Sequence, residues 1–155
     1  MAAVRPQQVV EQIVTTLTDN ITDLNTKRKN EGRNWIFWDF PQGAAEMPRI
    51  GVVKLSGIGT PQAVNSSARR ETALFQVSVF LAKGNRFDYD SDGSAEKAED
   101  VLDYLSTEVI NSIQENQADF QALGVLHLNY VSEDNTSPGD TLQNNIIFEA
   151  QYQRG

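Results

Sequence analysis

Residues Glu71 to Lys83 read ETALFQVSVFLAK, the stretch that decides the fold class. Phe75, Val77, Val79 and Leu81 alternate with Leu74, Gln76, Ser78 and Phe80. A period of two belongs to a β-strand, whose successive side chains point to opposite faces. Both sets contain apolar residues, the first more consistently, which predicts a sheet with one better-buried face. Gly84 ends the strand. The same texture recurs near the end of the chain, where Ile146, Phe148, Ala150 and Tyr152 alternate within a strand expected over Asn145 to Tyr152. Its expected partner runs from Val125 to Val131, and Ser132 to Asp140 between them is rich in turn residues, predicting a hairpin loop.

Working outward, Trp35 to Phe40 reads as a short strand with Ile36, Trp38 and Phe40 on one face, stopped by Pro41. A loop of Gly, Ala and Pro leads to a second strand near Arg49 to Leu55. Ser56 to Arg70 is polar and holds Gly57, Gly59 and Pro61, so it is expected to be a long loop, either functional or disordered. Two segments carry helical periodicity. Arg5 to Leu24 places Val10, Ile13, Val14, Leu17, Ile21 and Leu24 three and four residues apart, with Pro6 suited to the first turn. Ala95 to Glu115 places Ala98, Val101, Leu102, Leu105, Val109 and Ile113 on one stripe. Lys27 to Arg33 reads as a basic connector. The predicted order α-β-β-β-α-β-β fits one α+β domain over residues 1–155. It is a two-layer sandwich with a mostly antiparallel sheet of about five strands and two helices on one face.

The chain has 155 residues, 39% of them hydrophobic and 22% charged, a globular composition. Without cysteine there is neither a disulfide framework nor a thiolate metal site. No apolar run approaches the ~20 residues of a membrane helix. MAAVRPQQ lacks a signal-peptide core, so the expectation is a soluble protein made in a cytoplasm, with no membrane partner. The net charge of −8 is divided unevenly. Residues 1–87 carry eleven Lys/Arg against seven Asp/Glu, and residues 88–155 carry two against fourteen. So acidic a second half argues against a broad phosphate-contacting surface and hence against specific nucleic-acid binding. It is either a solvated face or one half of a head-to-tail contact between copies, the kind that closes into rings.

Catalytic signatures are scarce. His127 is the only histidine and lies in a strand pattern, with no second ligand for a zinc set and no nucleophile elbow. Gly57–Ile58–Gly59 lacks the third glycine, the lysine and the following helix of a nucleotide-binding loop. Trp35 and Trp38 are three residues apart, so in a strand they point to opposite faces and form no common platform. The expectation is that the chain is not an enzyme.

One stretch matches a chemical pattern closely. DYDSDGSAEKAE, Asp88 to Glu99, has carboxylates at positions one, three and five of an EF-hand calcium loop, glycine at six and glutamate at twelve. Calcium requires hard oxygen ligands, and alternate residues of a tight loop can converge to supply them. The expected ligands are Asp88, Asp90, Asp92, the Ser94 carbonyl and Glu99, with Glu96 acting through water. Two features depart from the pattern: a strand enters the loop where a helix is usual, and Ala95 replaces a large aliphatic. The alternative is an acidic turn that favours the N-terminus of the following helix.

Taken in order, the first amphipathic helix, the strand TALFQVSVFL at Thr72–Leu81, the helix at Ala98–Ile113 and the closing hairpin resemble the tail-terminator and tail-completion proteins of long-tailed phages. The resemblance implies a virion protein of the tail or neck, assembled in the host cytoplasm. It implies a hexameric ring that caps the tail tube, stops its growth and joins it to the head connector. The tail tube protein and the connector protein would then be its partners, with no catalytic residues to carry over. The 56–70 loop and the calcium-type loop lie outside the family pattern, which leaves a neighbouring neck protein open. Basic residues Lys27, Arg28, Lys29, Arg33, Arg69 and Arg70 would meet the acidic helix of the next copy. A reading of another class is a non-viral calcium-dependent binding module using the 56–70 and 132–143 loops.

Overall fold

The computed structural model describes residues 4–38, 46–61 and 69–154, with only the backbone described for 56–61, 69, 70 and 154. Phe40 and Pro41, expected to finish the first strand, lie outside the described residues. Helix α1 spans Pro6–Asn20 and α2 spans Thr26–Asn30. Strands β1 (Ile36–Phe37), β2 (Arg49–Pro61) and β3 (Arg69–Ala82) follow. A small hairpin of β4 (Arg86–Phe87) and β5 (Glu96–Lys97) leads into α3 (Ala98–Glu115) and α4 (Gln117–Leu123). Strands β6 (Val125–Thr136) and β7 (Thr141–Arg154) close the order.

The fold is α+β. Five strands form one sheet in the order β1-β2-β3-β7-β6, antiparallel except for β1 beside β2. Helix α1 packs over β1 and β2, and α3 packs over β3 and β7. The alternation read in β3 holds: Ala73, Phe75, Val77, Val79 and Leu81 are fully buried and meet Ile13, Leu17, Leu105 and Val109 of the helices. Ser78 and Phe80 on the opposite face are buried too, so that face is less open than their neighbours suggest.

Several boundaries differ from expectation, each for a local reason. Asn25 caps α2 by accepting from the Arg28 amide at 3.1 Å, so the basic connector is a helical turn. Helix α1 stops at Asn20, whose side chain donates to the Thr16 carbonyl at 2.7 Å. Helix α3 begins at Ala98, three residues after the expected Ala95, because Glu96 and Lys97 first pair with Phe87 and Arg86. The unexpected α4 ends at Gly124, whose φ of 109° suits glycine far better than any L residue.

Two expected loops are corrected to strand. From Ser56 to Pro61 the chain continues β2, paired rung by rung with Leu74 to Arg69 after a bulge at Lys54/Ser56. From Ser132 to Thr136 it continues β6 against β7, leaving only residues 137–140 to turn. In both segments the polar residues suggested loop, yet a ladder needs only backbone groups, and an antiparallel sheet tolerates a wet face. The remainder of the first loop, residues 62–68, lies outside the described residues.

Candidate functional site

Of the six basic residues expected at an interface, the structure brings three to the surface beside β1. Lys27 and Lys29 are exposed on α2, and Arg33 is exposed just beyond it. Arg33 is already engaged, its guanidinium 2.6 Å from Glu31 and 3.1 Å from Glu46. Its hydrogen bonds hold the Glu46 carboxyl below the ordinary carboxylate value. Lys29, Arg33 and Trp35 help line a shallow cleft of about 370 Å³ between the end of α1 and β1.

Arg28 is a correction. It is 3% exposed, and its fork grips Asp23 through Nε at 2.7 Å and Nη2 at 2.8 Å. It also donates to the carbonyls of Glu46 and Pro48 and lies 5.9 Å from the Trp35 ring centroid. A planar five-donor guanidinium can satisfy all of these at once, so Arg28 ties α2 to the entry of β2 and is unavailable to a neighbour. Trp35 is accordingly buried, whereas Trp38 is 63% exposed.

Arg69 and Arg70 belong elsewhere. Their backbones pair with Pro61 and Thr60, at the far end of β2 from Arg49. A strand of 13 residues separates the two ends by roughly 40 Å, several screening lengths in physiological salt. The six residues therefore do not form one patch.

The calcium-type loop is the tip of the β4–β5 hairpin. Asp88, Asp90 and Asp92 converge, with one carboxylate oxygen of each within 4.8 Å of the others. The loop is tied by its own amides: Gly93 N donates to Asp88 at 2.9 Å, Asp92 N to Asp88 at 3.1 Å, and Ser94 N to Asp92 at 2.8 Å. Ser91 and Gly93 both take positive φ, which the tight turn demands. Desolvation pushes the Asp90 and Glu96 carboxyls up, and the Asp92 carboxylate adds to both, while the hydrogen bond from the Asp92 amide opposes the rise at Asp90. Asp88 ends below its ordinary value, since hydrogen bonds from Gly93, Asp90 and Asp92 outweigh its desolvation. Glu99 does not join this group. Delayed by the β5 pairing, it lines a cleft with Lys83, Arg86 and Lys97 on one side and another with Asp103 and Glu133 on the other.

That second cleft, between α3 and the β6–β7 hairpin, was not legible as a site in the sequence. It encloses about 230 Å³, and its lining includes Glu99, Asp103, Ser106, Glu133 and Asn144, with no Lys or Arg. Asn144 faces inward from β7 and donates to Ser106 Oγ at 2.8 Å and to Glu133 Oε1 at 3.1 Å. Glu133 accepts from the Tyr130 hydroxyl through its other oxygen, at 2.8 Å. A bulge between Tyr130 and Ser132 makes this possible, since it places residues three apart on one face of β6. The hydrogen bond to Glu133 raises the Tyr130 phenol above its ordinary value. The available signal was polar residues at apolar positions: Ser106 in the α3 stripe and Asn144 in the alternation of β7.

Beyond this cleft runs the outer edge of the sheet. Strand β6 has β7 on one side only, and Leu126, Tyr130 and Val131 are exposed along it. The side-chain amide of Gln117 occupies both backbone groups of Leu128, at 2.8 and 3.0 Å. His127 is exposed on the same strand.

No family model and no curated protein matches the chain. Among solved structures it is similar to a chain from the virion of a native gene transfer agent particle. That match has 11% sequence identity and a TM-score of 0.49, and covers 96% of this chain and 94% of the other.

Proposed function

We propose that this chain is a structural subunit of a tailed-virus particle, a tail terminator whose copies form a ring that caps the tail tube and meets the head connector. The observation that carries the assembly part of this reading is a single rung of the sheet. Ile36, Ile50, Val79, Asn144 and Asn135 are paired in sequence from one edge to the other. The exposed cations of α2 stand near the β1 end of that rung, and the acidic cleft stands at its β6 end. The four steps amount to roughly 19 Å at about 4.8 Å per strand. Opposite charges at the same height on opposite edges suit a head-to-tail contact, the heterologous kind that closes into rings when its rotation permits.

Native mass spectrometry with negative-stain imaging tests the reading. The expected result is a closed ring of six copies. A strict monomer at high protein concentration and low salt would count against it and favour a monomeric binding module.

We also propose that the β4–β5 loop binds Ca²⁺ in a structural role, on a ligand set altered from the expected one. The converging carboxylates of Asp88, Asp90 and Asp92 support this, with the Ser94 carbonyl retained and Glu96 replacing Glu99 as the nearby fourth acid. The site would pin the small hairpin to the start of α3.

A further inference from the structure

We infer that the cleft between α3 and the β6–β7 hairpin seats the ammonium group of a lysine, Lys27 or Lys29, from a second copy of this chain. The inference deepens the assembly reading above and rests on it. Its foundation is Asn144, which is 2% exposed and lines the cleft. Ser106 Oγ donates to the Leu102 carbonyl at 2.7 Å, so towards Asn144 it can only accept. Glu133 likewise accepts through both carboxylate oxygens, from the Tyr130 hydroxyl and from Asn144. Both partners therefore demand the amide nitrogen, and the orientation of the Asn144 amide is determined by them. Its oxygen is left buried with no hydrogen-bond donor among the described residues. Buried polar atoms in folded proteins are almost always satisfied, so this acceptor favours an incoming donor at the cleft.

The rest of the lining specifies the donor. Glu99, Asp103 and Glu133 bring three carboxylates to the cleft, whose lining holds no Lys or Arg among the described residues. At about 230 Å³ the space is below the ~300 Å³ at which small-molecule pockets begin, and suits one side chain. A lysine ammonium has three donors and no acceptor, on an apolar four-carbon stem. Leu102 and Leu142 in the lining offer that stem apolar contact. Among the basic residues near the β1 end of the rung, Arg28 is buried and Arg33 is paired with two glutamates, whereas Lys27 and Lys29 are exposed.

The test uses the full chain and two charge-reversed variants, Lys27→Glu/Lys29→Glu and Asp103→Lys, followed by sedimentation velocity over a range of concentrations. All three positions are exposed, so circular dichroism spectra and thermal midpoints should match the wild type; Glu99→Lys replaces Asp103→Lys if that variant does not fold. Each variant alone should self-associate at least tenfold more weakly than wild type. An equimolar mixture should assemble in alternation, because one junction retains a lysine facing an intact cleft and the other pairs the two reversed charges. Combining the reversals in one chain should restore assembly. If wild type assembles and either variant assembles equally well, this contact is overturned while the ring reading stands. If wild type stays monomeric throughout, both are overturned.

Discussion

Ile36 and Asn135 stand at opposite ends of one rung of the sheet, joined through Ile50, Val79 and Asn144. The sheet holds them apart rigidly, because the central three are buried and hydrogen-bonded on both sides. Any interaction made near one end is therefore presented at a set height relative to the other. In the proposed ring, such a subunit would transmit geometry from one junction to the next without a conformational change.

The first prediction follows from the exposure of the charges at these two ends. Self-association should weaken steeply as ionic strength rises from about 10 mM to 1 M, where the screening length falls from about 30 Å to 3 Å. Light scattering against salt measures this. Assembly that is indifferent to salt would assign the contact to the apolar residues of β6, Leu126 and Val131.

Arg28 and its neighbours should part company on mutation. Arg28→Ala leaves Asp23, at 5% side-chain exposure, without its guanidinium partner, and removing one partner of a buried pair costs about 3–5 kcal/mol. Lys27→Glu/Lys29→Glu should stay within about 0.5 kcal/mol of wild type, as surface changes usually do. Urea denaturation of both variants provides the comparison, and equal stability of all three proteins would contradict the burial of Arg28.

Ser106→Ala should destabilise the chain by about 1–3 kcal/mol, because the buried Asn144 amide loses an acceptor it cannot replace with water. Ser106→Thr keeps the hydroxyl and should recover part of that loss. Thermal denaturation of the pair separates a lost hydrogen bond from a general intolerance of change on α3.

Calcium titration tests the altered ligand set. Millimolar Ca²⁺ should raise the thermal midpoint of wild type, since a ligand bound only to the folded state adds ~2.7 kcal/mol at a hundredfold excess over its dissociation constant. Asp90→Asn should remove most of that gain, while Glu99→Gln should keep it. A wild-type midpoint unmoved by calcium would leave the loop as a self-capped acidic turn, held by the amides of Asp92, Gly93 and Ser94.

Much of this molecule was written in local periodicity. The alternation of Phe75, Val77, Val79 and Leu81, the stripe from Val101 to Ile113, and the convergence of Asp88, Asp90 and Asp92 all depend on residues only a few positions apart. Burial of one face is a collective property of such patterns, so the α+β class and the core followed from sequence alone. The division of charge between the two halves was equally plain. What sequence could not determine depended on partners distant along the chain. Arg28 became a buried tie because Asp23, Glu46 and Pro48 met it from three directions. Glu99 stands apart from the Asp88–Asp92 loop because β5 paired with β4 and delayed the helix. Segments 56–61 and 132–136 became strand because neighbouring backbones offered hydrogen bonds that outweighed their polar, turn-like composition. The acidic cleft arose only when a bulge in β6 turned Glu133 toward Asn144 and Ser106. Periodicity is local and can be read along the chain, whereas register and ion pairing are set by the sheet as a whole.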